Sequence, residues 1–173
     1  QIFLIGPMGV GKTTIGKKIA KQLGVEFRDT DKLIIAKHGP ISEIFDNHGE
    51  EYFRNLESQE LTNLSDFEGV VATGGGIVLA EENQRFLSGR KVVYLSTRGK
   101  QMKTRLLSSK KRPLLKNGYK DWVSIYESRK PLYEKVSSVE ISIDGTPLSL
   151  VAEKCVEIYR SIDACVSRNR WAS

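Results

Sequence analysis

Cysteine and proline are scarce in this chain, at two and five of 173 residues, and no apolar run approaches the roughly 18 residues that a membrane-spanning helix requires. Cys155 and Cys165 fall ten positions apart in a stretch that reads as helix, a separation of roughly 15 Å, which is too far for a disulfide. Neither has His or Cys neighbours at ligand spacing, so a structural zinc site is excluded. Internal repeats and low-complexity linkers are also missing, which rules out fibrous and disordered classes. Gln1 leads into Ile2–Ile5 with no charged n-region before it, so the expected location is cytoplasmic, with no membrane partner.

What is present is the composition of a globular protein, 39% hydrophobic and 28% charged, of a length that suits a single domain over 1–173. The net charge of +6 would permit nucleic acid, lipid headgroups or small anions as partners. Apart from Lys17-Lys18 and a basic stretch near 108–120, the lysines and arginines are scattered, and no aromatic stacking motif accompanies them. Nucleic acid is therefore not expected, and small anionic substrates are the better match.

Short runs rich in β-branched residues at 2–5, 25–28, 69–73, 91–95 and 139–143 predict five strands. Helical periodicity covers 12–23, 41–64, 83–87, 100–107, 123–133 and 148–162. Alternating strands and helices, with strands as apolar as Val92-Val93-Tyr94-Leu95, predict an α/β fold whose parallel sheet is covered on both faces.

Gly6-Pro7-Met8-Gly9-Val10-Gly11-Lys12-Thr13 matches the phosphate-loop pattern G-x-x-x-x-G-K-[ST], and it lies between a strand and a helix as that pattern requires. Glycines let successive backbone N–H groups turn toward one point, where the helix that follows adds the positive end of its dipole. Lys12 would bridge the β- and γ-phosphates, and the Thr13 hydroxyl would ligate Mg²⁺, so ATP with magnesium is expected. No guanine-reading N-K-x-D segment follows, since Asn117-Gly118-Tyr119-Lys120-Asp121 has the wrong spacing.

Asp29-Thr30-Asp31 ends the second strand on the side where open α/β sheets bind ligands. One carboxylate could serve the metal and the other a substrate hydroxyl; a helix N-cap is the plainer alternative. Arg54 and Glu57 stand three apart on one helix and suit a local ion pair. Thr73-Gly74-Gly75-Gly76 ends a buried strand in three glycines, which suits a backbone that must approach a ligand. Arg112-Pro113-Leu114-Leu115 and Arg129-Lys130-Pro131-Leu132-Tyr133 supply guanidinium groups able to clamp phosphate or carboxylate.

With these segments in this order, the chain resembles the shikimate kinases, members of the nucleoside-monophosphate-kinase-like group of P-loop proteins. The resemblance runs from Ile2 to about Ile162 through six ordered motifs. It implies a three-layer α/β/α P-loop kinase fold with a five-stranded parallel sheet of order 2-3-1-4-5. A substrate-binding helical region at about 30–60 and a lid at about 108–121 belong to the same pattern. It further implies a monomer that transfers the ATP γ-phosphate to the 3-hydroxyl of shikimate, in chorismate and aromatic amino-acid biosynthesis. Catalysis would rest on Lys12, Asp31 and Arg112, with Asp31 holding the acceptor hydroxyls as base. ATP would meet Gly9, Val10, Gly11, Lys12, Thr13, Thr14, Arg105, Arg112 and Thr146, the last in the adenine loop at 143–147. Shikimate would meet Asp31, Phe45, Phe53, Arg54, Gly74, Gly75, Gly76 and Arg129, with Glu57 orienting Arg54. Magnesium would be held by Thr13 and, through water, by Asp29. The tail at 163–173 lies beyond the resemblance and reads as a frayed end. The rival readings are a gluconate or nucleoside-monophosphate kinase, and a nucleotide-binding regulatory module without turnover.

Overall fold

The computed structural model describes residues 1–99, 102, 104 and 118–169, with side chains as far as 160. Strands β1 (Ile2–Ile5), β2 (Glu26–Asp29), β3 (Gly69–Ala72), β4 (Val92–Ser96) and β5 (Val139–Ser142) form one sheet of order β2-β3-β1-β4-β5. Every adjacent pair is parallel, with Phe3 level with Val71 on one side and Val92 on the other. The fold class read from the alternating pattern is thus the one observed.

The helices are α1 (Lys12–Leu23), α2 (Thr30–His38), α3 (Ile41–Asn63), α4 (Glu81–Leu87), α5 (Tyr119–Val136) and α6 (Leu148–Asn169). Right-handed crossovers in this strand order place α1 on one face and α3, α4 and α5 on the other. Helix α6 returns to pack along α1. The central strands are therefore sealed on both sides: Phe3, Leu4, Ile5, Val70, Val71, Val92, Tyr94 and Leu95 are fully buried. Each such side chain contributes roughly 1.5–3 kcal/mol of burial free energy, which fixes the sheet as the rigid base of everything above it.

A second, smaller core of Ile34, Ile44, Phe53 and Leu56 lies between α2 and α3, with Ile41 and Phe45 packed on it. Helix α2 was not among the helices expected from periodicity. Its apolar residues Leu33-Ile34-Ile35-Ala36 are consecutive and form no one-sided stripe, so the 3.6-residue signal is missing. The single helix expected over 41–64 is bent at Gly49, whose φ of 82° and ψ of 174° interrupt the helical backbone. Helix α6 runs on to Asn169, past the end at 162 expected from periodicity, and no Gly or Pro stands between to stop it. Burial pushes the Cys155 thiol up to about 12, which keeps it inert. The helix expected over 100–107 lies outside the described residues except at Met102 and Thr104. The expected lid is described only from 118 onward.

Candidate active site

The carboxyl ends of β1, β2 and β3 open into one cavity of about 640 Å³. The phosphate loop forms one wall. Gly6 enters it with φ 137°, and any Cβ there would collide with the Leu95 carbonyl, so the tight exit from β1 demands glycine. Gly9 and Gly11 also take positive φ, of 88° and 98°, which turns the chain back on itself just ahead of α1. Lys12 is buried, and its Nζ donates to the carbonyls of Gly6 at 2.7 Å and Pro7 at 2.9 Å. The loop thus holds its own cation against its own backbone, beside the N-terminus of α1.

Thr13 and Asp29 meet across this wall, the Thr13 hydroxyl donating to Asp29 Oδ2 at 2.6 Å. Asp29 also accepts from the Lys32 N–H at 3.2 Å, so it is the N-cap of α2 as well as a wall of the cavity. The two readings of this carboxylate are compatible, since each uses a different oxygen.

The opposite wall carries the charges. Arg54 donates to Glu57 at 2.5 Å and to Glu50 at 2.7 Å. Glu57 is 1% exposed at the side chain, so this pair belongs to the interior, not to a solvated helix face. Burial pushes the Glu57 carboxyl up to about 7 even though the Arg54 guanidinium opposes it, and Asp31 adds to the rise. For Arg54 itself burial acts downward, but Glu57 and Glu50 outweigh it and hold the pKa above the ordinary value. Arg129, from α5, is 6% exposed and makes no ion pair among the described residues. Burial and the nearby Arg54 charge lower its pKa. A buried guanidinium of this kind is stabilised by an anion brought to it.

The three glycines after β3 serve the side chains around them. A Cβ on Gly74 would fall between Glu57 Oε1 and Asp31 Oδ1, and one on Gly76 would overlap the Arg54 guanidinium. None of Gly74, Gly75 and Gly76 takes a positive φ, so close approach, not backbone strain, is what requires glycine here. The Gly74 N–H donates to Thr30 Oγ1 at 3.1 Å, tying the strand end to α2. Phe45 and Phe53 close the apolar side with ring centroids 5.0 Å apart, and Arg54 lies over Phe53.

The cavity therefore gathers Gly9, Gly11, Lys12, Thr13, Thr14 and Asp29 on one side. Asp31, Phe45, Phe53, Arg54, Glu57, Gly74, Gly75, Gly76 and Arg129 line the other. Val10 belongs to the loop, but its side chain is fully buried in the core. Thr146 is outside this lining, in a loop whose following residue but one, Leu148, lies beside Gly11. Arg105 and Arg112 lie outside the described residues.

Sequence reasoning did not single out Trp122 and Tyr133 as supports of the site. The Trp122 indole donates to the Met8 carbonyl of the phosphate loop at 2.9 Å, and the Tyr133 hydroxyl donates to the Gly75 carbonyl at 2.5 Å. The spacing of 122, 126, 129, 133 and 136 traces one face of a helix, a signal that was present in the sequence.

The sequence profile of the shikimate kinases matches residues 8–160. A curated shikimate kinase of Actinobacillus succinogenes is 42% identical over 165 residues, which cover 91% of this chain and 94% of that one. One of Streptomyces coelicolor is 43% identical over 147 residues, covering 83% and 86%. A solved shikimate kinase from Acinetobacter baumannii, in complex with shikimate, superposes with a TM-score of 0.87 at 38% identity over 92% of each chain. A gluconokinase from Sinorhizobium meliloti covers 97% of this chain and 96% of its own, with a TM-score of 0.67 at 17% identity, and so shares the fold alone. With a family profile matched over residues 8–160 and relatives above 40% identical over most of its length, the chain belongs to the shikimate kinase family.

Proposed function

We infer that the chain transfers the γ-phosphoryl group of ATP to the 3-hydroxyl of shikimate, giving shikimate 3-phosphate and ADP, a step of chorismate and aromatic amino-acid biosynthesis. The observation that carries this reading is Arg129, a buried guanidinium that makes no ion pair among the described residues, in the same cavity as Asp31, Arg54 and Lys12. A carboxylate-bearing polyol satisfies all of them. Its anion lies between Arg54 and Arg129, and its hydroxyls reach Asp31 and the glycine backbone.

The residues then divide the work. Asp31 accepts the proton of the 3-hydroxyl as that oxygen bonds to the γ-phosphorus and the bond to the ADP oxygen breaks. Lys12 turns from its loop carbonyls to the phosphate oxygens, where it meets the charge that builds in transfer. Thr13 and Asp29 present adjacent hard oxygens beside the loop, a donor set that fits Mg²⁺ held mainly by phosphate and water. The ion supplies charge neutralisation on the phosphates. Arg112 is assigned to the phosphates and Arg105 to adenine on the strength of the family resemblance, as is Thr146. A cytoplasmic, monomeric enzyme with no nucleic-acid or membrane partner belongs to the same reading.

A coupled ADP-release assay with Mg-ATP and shikimate, gluconate, AMP or no acceptor tests it. Release with shikimate alone is expected. Release with another acceptor would overturn the carboxylate site, and ATP binding without release would point to a regulatory module.

A further inference from the structure

Helix α5 turns a single buried stripe toward the sheet: Trp122, Tyr126, Arg129, Tyr133 and Val136. Two residues of that stripe converge on one backbone oxygen. Arg129 Nη1 donates to the Gly75 carbonyl at 3.1 Å, and the Tyr133 hydroxyl donates to the same carbonyl at 2.5 Å. Tyr133 is fully buried. Burial also pushes its pKa above the ordinary phenol value, so the hydroxyl remains a donor at any working pH.

The geometry of the peptide unit gives this contact a consequence on the far side. The C=O and N–H of a trans peptide point in opposite directions, and the described residues contain no cis peptide. Holding the Gly75 carbonyl toward α5 therefore turns the Gly76 N–H away from α5, at a glycine that lines the cavity together with Arg54. The Gly75 and Gly76 N–H groups meet no acceptor among the described residues. A buried N–H without a partner is costly unless a bound molecule supplies an acceptor.

We propose that Tyr133 is a positioning residue for the acceptor, fixing the Gly75–Gly76 peptide so that the Gly76 N–H donates to an oxygen of bound shikimate. Arg129 cannot keep that peptide in place alone, because its guanidinium must also serve the substrate carboxylate. The phenol, which also accepts from the Arg129 guanidinium, is not part of the cavity lining and holds the carbonyl throughout the cycle. This inference rests on shikimate as the acceptor.

Steady-state kinetics of Tyr133→Phe are the test, because the change removes one hydroxyl and keeps the ring. The KM for shikimate is expected to rise roughly 5- to 30-fold, the size of one lost hydrogen bond, with the KM for ATP within about twofold and kcat within about threefold. Tyr94→Phe is the matched control. Its ring stacks on Tyr133 at 5.2 Å, but its hydroxyl bonds Tyr126 at 2.6 Å and not the strand end. Both variants should lose thermal stability, and only Tyr133→Phe should shift the shikimate KM. Equal shifts in the two variants, or none in either, would overturn the proposal. Should Tyr133→Phe fail to fold, the Gly76 amide resonance of the wild-type enzyme decides: it moves downfield on saturation with shikimate, and a resonance that stays in place overturns the assignment. Wild-type enzyme inert toward shikimate would instead overturn the function beneath it, whatever the ratio between variants.

Discussion

Among the described residues, the phosphate wall comes from one continuous run, 8–14, with Asp29 beside it. The acceptor wall draws residues 31, 54, 57, 74–76 and 129 from α2, α3, the end of β3 and α5. The loop presents backbone N–H groups and one lysine already satisfied by its own carbonyls. The wall instead gathers ionisable groups in the interior, so that burial pushes the Glu57 carboxyl up to about 7 and Arg129 makes no ion pair among the described residues. A cradle of neutral dipoles costs little desolvation and depends on local geometry alone. A cluster of buried ions is balanced only while every member is in place. Binding of the nucleotide should therefore tolerate changes elsewhere in the chain, while binding of the acceptor should respond to pH and to residues that never touch it.

The largest effect tests whether the two ends are separable. Lys12→Ala should lower kcat by roughly 10²- to 10³-fold, because the phosphates lose a fixed cation where transition-state charge develops. Shikimate affinity, measured by calorimetry without nucleotide, should stay within about twofold. Loss of both would mean that the loop shapes the acceptor wall, and the contrast between the two regions would fail.

Arg129→Ala attacks the other side. It removes a charged hydrogen bond to the substrate carboxylate, worth about 1.5–3 kcal/mol, so the KM for shikimate should rise roughly 10- to 150-fold. The KM for ATP should stay put. A change confined to ATP would place this arginine on the nucleotide and leave the carboxylate without its second partner.

The same contrast explains what could be read from the chain alone. A phosphate loop is legible because its chemistry sits in consecutive residues with fixed spacing, and the strand before it and the helix after it were equally plain from a β-branched run and a helical period. The acceptor residues were found through motifs and a family resemblance, not through periodicity. Helix α2, which carries Asp31, gives no amphipathic signal. The bend at Gly49 leaves no mark beyond one glycine in a helical window. Most telling is Glu57. An Arg and a Glu three apart on a helix read as a surface pair, and nothing local tells that α2, β3 and α5 will enclose them. Tyr133 was missed for the same reason, since its partner lies 58 positions away.

The smallest effect is the most specific to that enclosed pair. An unfolded Glu titrates near about 4.3, whereas Glu57 in the folded chain is pushed up to about 7. Between these values the folded state holds a proton that the unfolded state has released. Stability contributed at this site is thus complete below about 4.3 and falls as pH rises through about 7. Shikimate acts on the same equilibrium. Its carboxylate, drawn in by Arg54, adds a negative charge beside Glu57 and favours the protonated form further, so binding takes up protons. Affinity should accordingly weaken by a few-fold from about pH 6 to pH 8, and calorimetry in buffers of different ionisation enthalpy should register the uptake. Glu57→Gln keeps a neutral hydrogen-bonding partner for Arg54 and removes the titration, so the variant should lose most of the pH dependence. If the wild-type profile is flat, or the variant retains the slope, the sensitivity of the acceptor wall to pH lies in a group other than Glu57.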